Sequence, residues 1–282
     1  MTIPAAIVAA GVGLWVTAPD RVDADKFAGL QGDPVHGERV FTAAGCASCH
    51  HDKAGEDKLV LSGGQAFASD FGTFYAPNIS PGAEGLAGWT LTDFANAVTR
   101  GVSPEGQHYY PAFPYTAYNK MSDQDVADLW AYVQTLPVSS TPSKAHDVGF
   151  PFNIRRSVGG WKLLFLSDDW VLDVAPDLER GRYLVEALAH CAECHTPRNP
   201  VGALDTSRWM AGAPNPSGQG TIPALTSDKL KWSAEDIAYY LESGFTPEYD
   251  SVGGHMAEVV SNFAKLSAED RAAVAAYVKA LP

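Results

Sequence analysis

The sequence predicts an all-α protein built from two tandem modules. All four cysteines fall in two copies of one short motif, the segments around the two copies recur in the same order, and few stretches alternate like β-strands. The 282 residues are 46% apolar and 19% charged, which is enough chain for two modest hydrophobic cores. The net charge of −13 argues against nucleic-acid binding and suggests that protein partners dock through a basic patch.

The first module opens after residues 1–26, which are predicted to be an export signal or a membrane anchor. Residues 2–18 carry no charge, and the first basic residue is Arg21. Because signal peptides usually begin with a basic residue, a short retained anchor is the alternative to a cleaved signal. A buried globular helix is a third interpretation.

The repeated motif is C-x-x-C-H: residues 46–50 read CASCH and residues 191–195 read CAECH. In c-type haem attachment, two thiols one helical turn apart add to the haem vinyl groups, and the adjacent histidine ligates the iron. A redox disulfide or a zinc site of four cysteines would leave the two histidines unexplained. The sequence therefore predicts two covalently bound haem c groups, attached through Cys46, Cys49, Cys191 and Cys194 and ligated by His50 and His195. Such attachment in bacteria predicts a location in the periplasm.

Helix signals repeat with the motifs. GWTLTDFANAVTRGV in the first half matches KWSAEDIAYYLESGF in the second, and MSDQDVADLWAYVQTLP matches LSAEDRAAVAAYVKALP. Ser122, Ser233 and Ser267 each stand three residues before an aspartate, which is typical of helix N-caps. We place the first module at residues 27–137, an interdomain linker at 138–176 and the second module at 177–282.

The linker begins with a stretch rich in serine, proline and threonine and then becomes apolar. We predict that its large apolar side chains pack between the modules, because they are costly to leave in water; the alternative is a docking face for a partner or a membrane surface. These side chains are Phe150, Phe152, Trp161, Leu163, Leu164 and Phe165. Arg155 and Arg156 are candidate partners of the haem propionates, since guanidinium matches carboxylate geometry.

The motifs together with APNIS, YYPAFPYTAYNKMSD, FPFNIRR and HMAEVV resemble diheme c-type cytochromes related to the cytochrome subunits of membrane-bound alcohol, gluconate and fructose dehydrogenases and of molybdenum hydroxylases. The resemblance covers nearly the whole chain after residue 30. It implies two class I cytochrome c modules and electron transfer from a dehydrogenase towards a quinone, another cytochrome or an oxidase. It also implies that the carbonyls of Pro77 and Pro223 accept Nδ1–H from His50 and His195.

The sixth iron ligand of an electron-transfer haem is most often methionine. For the second haem we predict Met256, which lies a loop ahead of the last capped helix and fills the ligand role in the resembling family. Met210 is nearer to the motif and is predicted to be packing. When Gly101 is aligned with Gly244, the residue opposite Met256 is Phe113.

The first haem therefore needs a different ligand, and we predict Met121. Three alternatives remain at this stage. Met121 could only pack beside the N-cap Ser122, His108 could be the ligand, or the iron could be five-coordinate with an open site.

Electron transport without substrate chemistry is the leading function, because the sequence shows no nucleophile with its base, phosphate loop or nucleotide motif. The alternatives are a diheme redox enzyme, peroxidase-like or thiosulfate-oxidising, and a haem-based sensor. Both alternatives would use an open site at the first haem. The expected partners are a dehydrogenase as donor and a cytochrome, quinone or oxidase as acceptor, with membrane attachment through the N-terminus as an option.

Overall fold

Two helical modules follow one another in the computed structural model, which describes residues 3–215, 218 and 220–282. An N-terminal helix, α1 (Ile3–Val16), precedes the first module. That module consists of α2 (Pro34–Ala43), α3 (Cys46–His50), the antiparallel hairpin β1 (Ala66–Ser69) and β2 (Gly72–Tyr75), α4 (Leu91–Ala95) with a π-helical extension (Asn96–Arg100), α5 (Tyr115–Tyr118) and α6 (Asp123–Val133).

Helix α7 (Ser157–Phe165) connects the modules, and the second module repeats the order of the first. It contains α8 (Glu179–Arg182) with a π-helical extension (Tyr183–Leu188), α9 (Ala192–His195), the two-residue strands β3 (Ala213–Pro214) and β4 (Thr221–Ile222), α10 (Ala234–Ser243), α11 (Met256–Phe263) and α12 (Ala268–Lys279). The structure is thus helical as predicted, with one small hairpin added in each module.

In each module, the first and last helices cross closely at a glycine. A Cβ atom on Gly37 of α2 would lie 1.9 Å from the carbonyl oxygen of Asp128 in α6. A Cβ atom on Gly181 of α8 would lie 2.1 Å from the carbonyl oxygen of Ala273 in α12. Neither helix pair can approach this closely with any other residue at the crossing, so the same constraint fixes the first and last helices of both modules.

The predicted N-caps are confirmed. The hydroxyls of Ser122, Ser233 and Ser267 accept a hydrogen bond from the backbone N–H three residues later, at 3.1, 3.0 and 3.1 Å. These caps open α6, α10 and α12 and satisfy N–H groups that have no partner within the helix.

Helix α1 rests beside α7, and many of its apolar side chains face solvent, Trp15 being 79% exposed. In the part of the chain that the structure describes, no helix has both the length and the apolar character to cross a membrane. Residues 1 and 2 of the predicted export signal or anchor lie outside the described residues. Export through this segment stays a prediction.

The first part of the linker packs against the first module. Ser139 is buried, its carbonyl accepts a bond from Asn78 Nδ2 at 3.2 Å, and Asp147 pairs with Thr73 of β2. These hydrogen bonds satisfy backbone groups of a stretch whose composition is typical of a linker.

The prediction that the apolar linker side chains pack between the modules is wrong for five of the six. Helix α7 turns Val158, Gly159 and Lys162 towards the protein, and the opposite face of the helix is left in solvent. The fractional exposures of the five are 81% for Phe150, 45% for Phe152, 66% for Leu163, 73% for Leu164 and 36% for Phe165.

We expect Gly37→Ala and Gly181→Ala each to lower the free energy of unfolding by about 2 kcal/mol, because the added methyl group meets backbone that must move. Gly160→Ala is the matched control: this helical glycine faces open space, with only Thr17 Cγ2 at 3.8 Å. Chemical denaturation of the holoprotein measures all three. Equal stability of the three variants would contradict the close crossing.

Candidate metal centres

The first motif is presented by a short helix whose entry is left-handed. Gly45 has φ +65° and turns the chain out of α2 into α3, which carries Cys46, Cys49 and His50. The His50 Nδ1 atom lies 2.8 Å from the carbonyl oxygen of Pro77. A proton on Nδ1 donates to this carbonyl and leaves the Nε2 lone pair for a metal.

The second motif repeats this geometry. His195 Nδ1 lies 2.8 Å from the carbonyl oxygen of Pro223. The left-handed entry position is filled by His190, with φ +43°, where the first module has Gly45. Both contacts expected from the resemblance are therefore present, and burial lowers the pKa of His50 and His195, so both rings stay neutral as iron ligation requires.

No disulfide joins any two of the four cysteines. Burial raises the pKa of Cys46 and of Cys191 to about 12 and that of Cys49 to about 11, and it also raises the pKa of Cys194. Redox-active cysteine pairs have a lowered thiol pKa instead. Paired protonated thiols one turn apart, beside a neutral histidine with a fixed ring, fit the attachment of haem c.

Apolar side chains from the helices of both modules surround the motifs in one continuous core. Met210 is completely buried and lies in this core, as predicted for a packing residue. Its neighbour Trp209, 7% exposed, is a core residue that sequence reasoning missed, because the Arg-Trp-Met segment lies in a loop without helical periodicity.

The predicted distal ligands lie in different surroundings. Met256 is the first residue of α11 and is partly buried against the core. Met121 is 6% exposed in the core of the first module. Ligation by Met256 and by Met121 stays a prediction at this point.

His108, the alternative ligand, faces another part of the molecule. Its Nε2 atom lies 3.0 Å from the carbonyl oxygen of Thr17, the residue after α1. The same atom would be 2.8 Å from a Cβ atom on Gly159 of α7. The ring is therefore enclosed between the N-terminal segment and α7.

Arg155 and Arg156, the candidate propionate partners, bind His108 and the N-terminal segment. Arg155 donates to the carbonyl of His108 at 3.2 Å and covers the Tyr110 ring. Arg156 donates to Thr17 Oγ1 at 3.0 Å and to the carbonyl of Leu14. Their propionate contacts stay a prediction.

The two motifs adjoin one another across the interface between the modules. The rings of Tyr118 and His190 meet edge to face at 5.5 Å, and the Tyr118 hydroxyl donates to the carbonyl of Ala44 at 2.9 Å. Asn262 Nδ2 donates to Ser48 Oγ at 3.0 Å, and Ser48 lies between the two cysteines of the first motif. Cofactors held by these motifs are therefore attached to parts of the chain that touch.

A tyrosine joins the modules a second time. The Tyr183 hydroxyl donates to the buried carboxylate of Asp125 and accepts from the N–H of Ser122 at 3.1 Å. Burial and the hydrogen bond to Asp125 raise the pKa of Tyr183, so the hydroxyl keeps its proton.

His36, Asp125 and Asp128 form a further group of possible metal ligands, with ligand atoms within 4.8 Å of one another. His36 Nδ1 lies 2.8 Å from Asp128 Oδ2. The second module has an ion pair at the equivalent place, Arg180 to Asp270 at 2.8 Å. We therefore interpret the group as a polar contact that links the crossing helices, as the ion pair of Arg180 and Asp270 does in the second module.

The fold and the two motifs together define a c-type cytochrome with two haem domains. Residues 35–137 match the model of the Cytochrome c family, and residues 176–278 match that of the cbb3-type cytochrome c oxidase subunit III. The chain is 56% identical over 281 residues to a diheme cytochrome c-type protein of Cereibacter sphaeroides, covering 98% of this chain and 95% of that one.

More distant relatives are subunits of dehydrogenases. The fructose dehydrogenase cytochrome subunit of Gluconobacter japonicus is 38% identical over 87% of this chain, which covers 52% of that subunit. The gluconate 2-dehydrogenase cytochrome c subunit of Pantoea cypripedii is 33% identical over 91% of this chain, which covers 62% of that subunit. The chain belongs to the family of diheme c-type cytochromes related to these subunits, and its cofactors are two haem c groups that serve electron transport.

We expect Tyr183→Phe to lower the free energy of unfolding by about 2 kcal/mol, because it leaves the buried Asp125 carboxylate without its donor. Tyr239→Phe is the control, since that side chain is 57% exposed. Denaturation curves of the two variants and of the wild type provide the comparison. If Tyr183→Phe is as stable as Tyr239→Phe, the hydroxyl does not hold the modules together.

Proposed function

We propose that this cytochrome carries electrons in the periplasm from a dehydrogenase to a downstream acceptor, which is a cytochrome, a quinone or an oxidase. The observation that carries the proposal is that each motif and its flanking residue is contacted from the other module, Ser48 by Asn262 and His190 by Tyr118, because electrons pass between cofactors only over short distances. The names of the dehydrogenase subunits among the relatives support a dehydrogenase as donor. Covalent haem attachment and the apolar N-terminal segment support the periplasm.

Each residue of the two motifs has a separate task in this proposal. The thiols hold the haem groups, and Nε2 of His50 and of His195 binds iron from the proximal side. The carbonyls of Pro77 and Pro223 fix the two ring orientations and make the rings stronger donors. Met256 is the distal ligand of the second haem. Bound haem c supplies a reversible one-electron couple, and the apolar core excludes water from it.

The exposed face of α7 is the proposed docking surface for a redox partner. Trp161 of α7 donates from Nε1 to the carbonyl of Val201 at 2.9 Å, which ties the helix to the second module. Leu164 and Phe165 border a crevice that also includes Ala192 of the second motif. A partner on this face would therefore be close to the second haem attachment site.

The intact mass of the holoprotein should exceed the mass of its polypeptide by two haem masses, and a reductive titration should take up two electrons reversibly. The double variant Cys191→Ala/Cys194→Ala should keep one haem and take up one electron. Mass spectrometry and spectroelectrochemistry make the two measurements. A wild-type protein with one haem or none, or an irreversible titration, would contradict the proposed function.

Replacing Met256 with leucine should remove one sulfur-to-iron charge-transfer band of the oxidised protein and lower one reduction potential, because the thioether favours reduced iron. Met210→Leu makes the same chemical change at a fully buried packing position and should leave band and potential unchanged. Optical spectra and a redox titration of Met256→Leu and Met210→Leu test this prediction. An unchanged spectrum in Met256→Leu would remove this residue from the site.

A further inference from the structure

We propose that Glu186, a buried glutamate of the second module, lowers the reduction potential of the second haem through its negative charge. The first module has no charged residue in the corresponding place, so this effect acts on one haem only. The inference deepens the proposed function and rests on it, because it requires a haem at Cys191 and Cys194.

Glu186 lies close to the second attachment motif. It belongs to the π-helical segment Tyr183–Leu188, and the N–H of Cys191 donates to the carbonyl of the preceding residue, Val185, at 3.2 Å. Glu186 is only 3% exposed, and it borders the same crevice as Ala192 of the motif. Its carboxyl group is therefore buried beside the point at which the second haem is attached.

Two donors hold the carboxyl group of Glu186 in place. The hydroxyl of Tyr277 in α12 donates to Oε1 at 2.5 Å, and the N–H of Val171 donates to Oε2 at 2.9 Å. Burial and the hydrogen bond to Glu186 raise the pKa of Tyr277, so the phenol keeps the proton that it donates. A carboxylate accepts both of these bonds, and the arrangement therefore suits the ionised side chain.

The basic side chains of the crevice do not neutralise Glu186. Arg198 is paired with Glu193. Lys120 is attracted by four carboxylates at once, which are Glu186, Asp168, Glu193 and Asp169. Among the residues that the structure describes, no ion pair joins Glu186 to a basic side chain. An unpaired buried carboxylate is costly to keep, which indicates that its charge has a use.

The first module has an aromatic ring in the corresponding place. Tyr132 and Tyr277 each lie ten residues after the serine N-cap of the last helix, and Tyr132 meets the ring of Phe41 edge to face at 5.2 Å. Phe41 and Glu186 both precede the first cysteine of their motif by five residues. Counted from the glycine of the helix crossing, the counterpart of Glu186 is Thr42, which carries no charge either.

A negative charge beside a haem favours oxidised iron. Reduction adds an electron, and a carboxylate close by repels that electron, so the reduction potential falls. Salt screens an interaction between buried charges far less than one at the surface. In the second module, the carboxylate of Glu186 therefore opposes the effect of the Met256 thioether, which favours reduced iron.

Glu186→Gln removes the charge and keeps the size of the side chain. We expect one of the two reduction potentials to rise, the other to stay unchanged and the sulfur-to-iron band to be retained. Glu179→Gln is the matched control, because it makes the same chemical change at an exposed position of α8 and should move neither potential. Optical redox titrations at low and at high salt make the comparison, and the rise in Glu186→Gln should persist at high salt.

Variants with a single haem assign the shift. Added to the second-haem-only protein Cys46→Ala/Cys49→Ala, Glu186→Gln should raise its potential, and added to the first-haem-only protein Cys191→Ala/Cys194→Ala it should have no effect. An unchanged potential in the first of these proteins, or an equal rise in both, would overturn the inference.

If Glu186→Gln does not fold, Glu186→Met takes its place, because an apolar side chain needs no hydrogen-bond partner, and the same rise is expected. Haem content and the two-electron titration are measured on the same samples. A wild type without two haems contradicts the proposed function, whereas a protein with two haems whose potentials do not respond to Glu186→Gln contradicts this inference alone.

Discussion

The contact on which each module depends is the backbone approach of its first and last helices at a glycine. In the first module, α2 runs from Gly37 into the attachment helix, and α6 is preceded by the loop that carries Phe113. The crossing therefore sets both the proximal and the distal side of one site. The crossing at Gly181 does the same for the second site, and both modules also hold the motif histidine 2.8 Å from a proline carbonyl.

Sequence reasoning succeeded where the signal is local. The attachment motifs, the N-caps and the spacing from each histidine to its proline depend on residues near one another in the chain or on the internal repeat. It failed for Leu163, Leu164 and Phe165 because composition says that such side chains avoid water but not which face of a helix meets the protein. The contact of His190 with Tyr118 depends on how one module is oriented against the other, and no pattern in either module specifies that orientation.

The repeat also shows where the modules have diverged. The helix crossing and the proximal bond are retained, whereas the polar pair beside the crossing changes from His36 with Asp125 to Arg180 with Asp270. The residue before the motif changes from Gly45 to His190, and Phe113 of the first module aligns with Met256 of the second. The retained features are those that position each C-x-x-C-H motif in its module.

The contact between the motifs has a consequence for the assembly of the protein in the cell. Ser48, between the cysteines of the first motif, is bound by Asn262 of the second module, and Ala44 is covered by Tyr118 and His190. An enzyme that joins haem to Cys46 and Cys49 needs this stretch of chain to be accessible. Haem attachment at this motif would therefore be expected before Asn262 and His190 of the second module pack against it.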